Sequence, residues 1–198
     1  MIPKGMPAYD NEADYGYKYN PQKSKMLLAS AGYNAENQIP SITLVTTSDY
    51  LDLCKFVQSQ LQDVGFVIEI QVSPPAAVRE MKALSKLSFF RASWIADYPD
   101  EENYLSLFYS KNFAPNGPNY THFSNAEFDS LYRAAFLETD IKKRIGLYRK
   151  MDSLVMQEAP VAVLYYDQVS RFVQKNVRGM TGNPVNLLNL ERVWKDNF

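Results

Sequence analysis

Leu87-Ser-Phe-Phe-Arg-Ala-Ser-Trp-Ile-Ala-Asp-Tyr-Pro-Asp-Glu-Glu-Asn103 is the stretch whose reading decides the fold. Ser88 to Trp94 is nearly all apolar, aromatic or small, the composition of a strand buried on both faces in a mostly parallel sheet. Polar residues follow at once: Asp97, Tyr98, Pro99, Asp100, Glu101, Glu102 and Asn103. Open α/β sheets bind ligands in the crevice beyond the carboxyl ends of their strands, so Trp94 and Asp97 are placed to meet one. Trp94 offers a flat apolar face, and Asp97 can accept hydrogen bonds from a cationic group at about twice the strength of a neutral pair. The same pair also fits a plainer role, a Trp closing the core and an Asp opening a turn before Pro99. Arg91 is either a cleft residue or the partner of a carboxylate at the sheet edge, and the second is expected.

Outward from this stretch, strands and helices alternate. Ile42 to Thr47 reads as a β-branched strand. Ser48 or Asp49 then caps a helix whose apolar residues Tyr50, Leu53, Cys54, Val57, Leu61 and Val64 recur at helical spacing, ended by Gly65. Phe66 to Val72 alternates as a strand. Pro74-Pro75 breaks it and opens a helix through Val78, Met81 and Leu84, which leads into Ser88 to Trp94. With right-handed crossovers this βαβαβ order gives an α/β fold, a three-stranded parallel core with flanking helices.

Before the core, residues 1–20 read as a connector or covering segment. Asn20 and Pro21 start a helix that Gly32 ends, with Met26, Leu27 and Ala31 on its apolar side. After the acidic turn come a short helix from Tyr104 to Tyr109 and a polar loop from Lys111 to Phe123, long enough to be functional. Ser124-Asn-Ala-Glu127 reads as a capping box opening a helix through Phe128, Leu131, Tyr132 and Ala135. Asp140 caps another, with Ile141, Ile145, Tyr148, Met151, Leu154 and Val155 inward, and the two form a hairpin. Val161 to Tyr166 reads as a strand, Ser170 to Val173 as its continuation or partner, and Val177 onward as an irregular tail with Gly179, Gly182 and Pro184.

Composition narrows the function. The 198 residues suit one large domain or a lobe of something larger, long enough to bury about 70% of the unfolded surface. The net charge of −1 leaves no basic footprint for nucleic acid. No apolar run approaches the ~20 residues of a membrane-spanning helix, and no signal peptide is visible. Fourteen Tyr, eleven Phe and two Trp are the outlier; they suit a carbohydrate, peptide or protein surface, and equally a Tyr-rich core rim. Catalytic signatures are missing. There is no glycine-rich phosphate loop. The lone His122 reads as a solvated loop residue without a triad, and Cys54 as a small core hydrophobe that has no disulfide partner. The carboxylates from Asp97 to Glu102 match no Ca²⁺ loop, so no metal and no cofactor are expected.

Five segments resemble one family. Phe90-Arg-Ala-Ser-Trp-Ile-Ala-Asp-Tyr-Pro-Asp100 with Asn103 is similar to a motif of the extracytoplasmic solute-binding proteins of ABC importers, in the oligopeptide/dipeptide/nickel-binding family. Tyr19-Asn-Pro-Gln-Lys-Ser-Lys-Met-Leu-Leu-Ala-Ser-Ala-Gly-Tyr33 resembles its Y-x-P-x-K-A-x-x-L-L-x-x-A-G-Y helix. Ile2-Pro-Lys-Gly-Met-Pro7 resembles its P-x-G-x-P entry segment. Asn119-Tyr120 before Phe123-Ser-Asn-Ala-Glu-Phe-Asp129 and Ala159-Pro-Val-Ala-Val-Leu-Tyr-Tyr166 complete the set in the right order.

The resemblance implies the C-terminal part of a protein roughly two to three times as long, supplying mainly one lobe of a periplasmic-binding-protein-like (type II) clamp that closes by hinge motion. Residues 21–173 would be the α/β ligand-binding lobe, and residues 174–198 a tail returning to the missing N-terminal lobe. The resemblance also implies that Asp97 pairs with the free α-amino group of a peptide or peptide-like small ligand. Trp94 and Ile95 then contribute apolar and main-chain contacts. Asn116, Asn119 and Tyr120, on the loop, are further candidate ligand contacts. The implied partners are that ligand and the membrane permease of an ABC importer. The implied location is the cell envelope, in the periplasm or as a lipoprotein anchored outside the inner membrane. Two other readings stand beside this one. One is a carbohydrate- or acyl-processing enzyme with a carboxylate pair near Asp97 and Asp100, and the other is an interaction module using a Tyr-rich surface.

Overall fold

The computed structural model describes residues 1–15, 17–34, 36–183 and 187–196, so Pro184 and the tail's last two residues lie outside the described residues. The chain forms two compact units, one from Asp14–Ser93 with Lys111–His122, the other from Met1–Ala13, Trp94–Ser110 and Phe123–Phe198.

The first unit opens with α1 (Pro21–Ser30), whose N-cap Asn20 accepts from the Lys23 backbone N–H. Gly32 follows at φ +89°, a left-handed geometry that costs glycine nothing. No residue of α1 is buried; Met26 and Leu27, read as its apolar side, face solvent. Strand β1 (Ile42–Thr46) leads through a 3₁₀ turn at Ser48–Tyr50 into α2 (Leu51–Gln62), and no side chain caps it, in place of the expected Ser48 or Asp49. Gly65 at φ +109° turns the chain into β2 (Ile68–Val72), and α3 (Pro75–Ala83) begins on Pro75. β1 and β2 pair in parallel from Ile42↔Ile68 to Thr46↔Val72. Leu44, Cys54 and Ile68 are the buried centre beneath them, joined by Val57, Leu61 and Phe89, which places Cys54 in the core.

The deciding stretch departs from expectation. It meets the sheet through one parallel bridge, Val45↔Phe90, made by Val45 N–H donating to Phe89 O and Arg91 N–H donating to Val45 O, both at 3.0 Å. The parallel sheet among the described residues therefore has two strands. Ser88, Ala92 and Ser93 are exposed, so this run is not buried on both faces. An apolar run reports a tendency to be covered, whereas a ladder also needs a neighbour in register.

The second unit is helical. α4 (Glu102–Leu105) continues as a 3₁₀ turn to Phe108. α5 (Ala126–Leu137) is capped by Asn125, not Ser124: its side chain accepts from Phe128 N–H. α6 (Ile141–Glu158) is capped as expected by Asp140, which accepts from the N–H groups of Lys142 and Lys143. Phe128, Ala135, Tyr148, Met151 and Val155 of this hairpin bury against Leu105, Phe108, Phe123, Ile2, Met6 and Ala8. Ile2, Met6 and Ala8 of the entry segment thus belong to this core. Ile141, expected inward, is exposed. Val161 to Val173 carries no strand, since none of its backbone finds a partner strand among the described residues. Two short strands unforeseen in the sequence, β3 (Val177–Arg178) and β4 (Trp194–Lys195), pair antiparallel.

Candidate functional site

The turn after Trp94 is held down almost everywhere except at Asp97. Trp94 is partly buried, and its indole Nε1–H donates to Asn103 Oδ1 at 2.7 Å. Glu101 is buried and accepts the Ala8 backbone N–H. Asp100 accepts from the Tyr148 hydroxyl at 2.8 Å and pairs with Arg144 at 3.5 Å. Glu102 accepts from two phenols, Tyr98 on one oxygen and Tyr132 on the other. These three carboxylates are therefore committed to the fold. Asp97 is exposed and has no hydrogen-bond or ion-pair partner among the described residues. Ile95 beside it is 70% exposed, while Ala96 between them is buried. Bonded residues on either side thus leave one open carboxylate and one open apolar side chain between them.

The anchoring phenols titrate abnormally. Burial, then the Glu102 hydrogen bond, raises Tyr132 well above the ordinary phenol value. Burial, then Asp100, does the same to Tyr148. The Glu102 hydrogen bond, then burial, raises Tyr98, and burial, then Asp152, pushes Tyr166 up to about 12. An unfolded chain loses these protons near pH ~10, where the folded chain still holds them. The stability they lend is complete below that pH and is lost as pH rises above it, for Tyr166 through about 12. A melting-temperature series should stay flat up to about pH 10 and then fall, less steeply in Tyr132→Phe. An unchanged slope in that variant would remove Tyr132 from this account.

The loop candidates belong to the first unit. Asn116 is exposed. Asn119 is fully buried: its backbone N–H donates to Asn112 O at 2.7 Å and its Oδ1 accepts from Thr121 Oγ1 at 3.0 Å. Tyr120 is partly buried, with Lys82 Nζ 5.2 Å from its ring centroid. Burial, then Arg91 and Arg79, lowers the Lys82 pKa. Arg91 has no carboxylate partner among the described residues; its guanidinium lies 3.2 Å from the Tyr50 ring centroid. His122 is exposed as expected, yet it stacks on Phe113 at 4.9 Å and its Nε2 lies 2.9 Å from Ser85 Oγ. A hollow of about 370 Å³ lined by Tyr109, Tyr132, Arg133, Phe136 and Leu137 contains none of the candidate ligand contacts.

Sequence reasoning missed the anchors. Tyr132 and Tyr148 read simply as inward positions on helices, and their only signal was the excess of tyrosine. No metal-holding group of His, Cys, Asp and Glu occurs among the described residues.

Comparison with known proteins identifies the class. The family model for bacterial extracellular solute-binding proteins, family 5 Middle, matches residues 1–116, and the chain belongs to this family. The dipeptide-binding protein DppE of Bacillus subtilis is 29% identical over 185 residues, covering 90% of this chain and 33% of DppE. The structure of the Escherichia coli murein tripeptide-binding protein MppA matches with a TM-score of 0.80 at 21% identity, over 98% of this chain and 38% of MppA. That of Helicobacter pylori DppA in complex with the peptide STSA matches with a TM-score of 0.77 at 26% identity, over 98% of this chain and 38% of that one. The fold is therefore mixed α/β and matches part of periplasmic binding protein structures. The chain spans about a third of the length of the curated relatives it matches. The family binds solutes and is not enzymatic, which sets aside the carbohydrate- or acyl-processing reading. In keeping with this, Asp100 is tied to Tyr148 and Arg144 and is not free to pair with Asp97 in acid–base work. Escherichia coli MppA is named as periplasmic, and among the described residues no helix is long and apolar enough to cross a membrane.

Proposed function

We propose that this chain is the ligand-binding lobe of an ABC-importer substrate-binding protein that captures peptides, or a related small solute, for import. The observation that carries the reading is the single open carboxylate: of the four on the turn, three are bonded within the fold and Asp97 is exposed and unpartnered. Such a group costs nothing to leave open in water and becomes valuable when a cation arrives. In this reading Asp97 takes the free α-amino group, and Trp94 and Ile95 lie along the first residues of the peptide. Asn116, Asn119 and Tyr120, which belong to the first unit, are the further candidate ligand contacts. That relatives are named for dipeptides and were solved with a bound peptide supports this class of ligand.

The remainder follows from the same reading. Residues 21–173 form the lobe, residues 1–20 connect to it and residues 174–198 return to an N-terminal lobe. In the whole protein Ser88–Trp94 is the third strand of a parallel βαβαβ core in a type II fold. The exposed Met26 and Leu27 and the unpaired apolar run at Leu164, Tyr165 and Tyr166 are the faces that the rest of the protein covers. The permease of an ABC importer is the partner, and the outer side of the inner membrane, in the periplasm or lipid-anchored, is the location.

The test is a thermal-shift experiment on the complete protein with short peptides, trialanine among them, and their N-acetylated forms. A ligand at one hundred times its Kd stabilises by about 2.7 kcal/mol, a clear rise in melting temperature. Free peptides should give that shift and acetylated ones should not. No shift with any peptide would overturn the reading.

A further inference from the structure

Among the bonds that hold the turn bearing Asp97, one joins Trp94 directly to Asn103. Asn103, 4% exposed, sits at the start of the short helix that follows the turn. Its Oδ1 accepts the indole N–H of Trp94 at 2.7 Å, joining the first residue of the turn to its last across residues 95–102. On the same side Tyr98 donates to Glu102, whose other oxygen takes Tyr132 of α5. Asn103 is itself fixed at the backbone, its N–H donating to Asp100 O at 3.2 Å and its O accepting from Ser106 Oγ at 3.0 Å. The indole has one donor and no acceptor, so within the fold its N–H is satisfied by the acceptor that Asn103 places at this point. Leucine has the size of asparagine and cannot supply one.

We infer that Asn103 is a positioning residue for ligand binding: by tying Trp94 to the far end of the turn, it fixes where the Asp97 carboxylate and the Trp94 ring stand before ligand arrives. This inference rests on the amine-binding reading of Asp97. A carboxylate held ready does not have to be ordered at the moment of binding, and that cost is saved only for ligands that use it. Losing the tie therefore lowers the preference for a free amino group, whereas a loss of stability alone would weaken all ligands alike.

The experiment measures, in the complete protein, the ratio of Kd values for N-acetyl-trialanine and trialanine, beside the melting temperature. Asn103→Leu should lower the ratio about tenfold, as expected when a buried donor loses its partner. Trp94→Phe, which keeps one aromatic ring and removes the pyrrole part with its N–H, should lower it similarly. The double variant should lose no more than either single one, since both remove the same bond. Trp94→Phe keeps the test decisive if Asn103→Leu does not fold. Asp97→Asn separates the two readings. If Asp97→Asn keeps the wild-type ratio, or wild-type protein does not prefer the free amine, the amine-binding reading fails and the inference with it. If Asp97→Asn loses the preference while Asn103→Leu and Trp94→Phe keep it, or their effects simply add, the inference alone fails.

Discussion

Asp97→Ala in the complete protein should weaken binding of free-amine peptides by about 2–5 kcal/mol, the cost of deleting one partner of a buried, hydrogen-bonded charge pair. On the amine-binding proposal, most of that cost is the ligand's ammonium group left desolvated and unpaired. The loss should be far smaller for acetylated peptides, which bring no charge. It should also leave the melting temperature of the unliganded protein nearly unchanged, because Asp97 bonds to nothing among the described residues. The neighbouring carboxylates supply the contrast. Glu102→Gln should lower stability, since Tyr98 and Tyr132 both lean on that carboxylate. Calorimetric titration with trialanine checks the first expectation; an Asp97→Ala protein that binds free peptide as tightly as wild type would sink it.

Phe128→Ala should lower the stability of the helical unit by about 3–5 kcal/mol. Phe128 is fully buried and meets Phe123 edge-on at 5.6 Å and Phe108 at 6.4 Å. These three rings lie where the hairpin, the short helix and the end of the polar loop converge. Truncation leaves a space that none of them can fill without giving up its own contacts. Ser130→Ala, exposed on the same helix, should stay within about 0.5 kcal/mol. Denaturant unfolding compares the two, and a Phe128→Ala cost near that of Ser130→Ala would show that the ring cluster is not the centre of the unit.

What could be read from the sequence was what short-range chemistry decides. Asn20 and Asp140 cap helices because a short oxygen side chain before a periodic apolar run has a free N–H to meet. Gly32 and Gly65 end helices because left-handed turns favour glycine. Asn125 displaced Ser124 by one position, within the reach of the same rule. Ser88–Trp94 and Val161–Tyr166 form no full strand among the described residues because strands are made by partners: the first finds one bridge and the second finds none. At the site, Asp97 and Trp94 could be picked out by local contrast, an apolar run ending in acid. Which of the four acids is open could not. That depends on Tyr132 and Tyr148, which are brought to the turn by a fold rather than by spacing.

Those same two bonds put the turn on a schedule during synthesis. Tyr132 lies 30 residues beyond the carboxylate it holds and Tyr148 lies 48 beyond its own. At ribosomal speeds the second anchor is made roughly 2–10 s after the turn itself. Until then Asp97 rides on a turn that has its local ties, Trp94 to Asn103 among them, but not the bond from Asp100 to α6, so a chain cut short before α6 would carry every residue of the motif without that anchor.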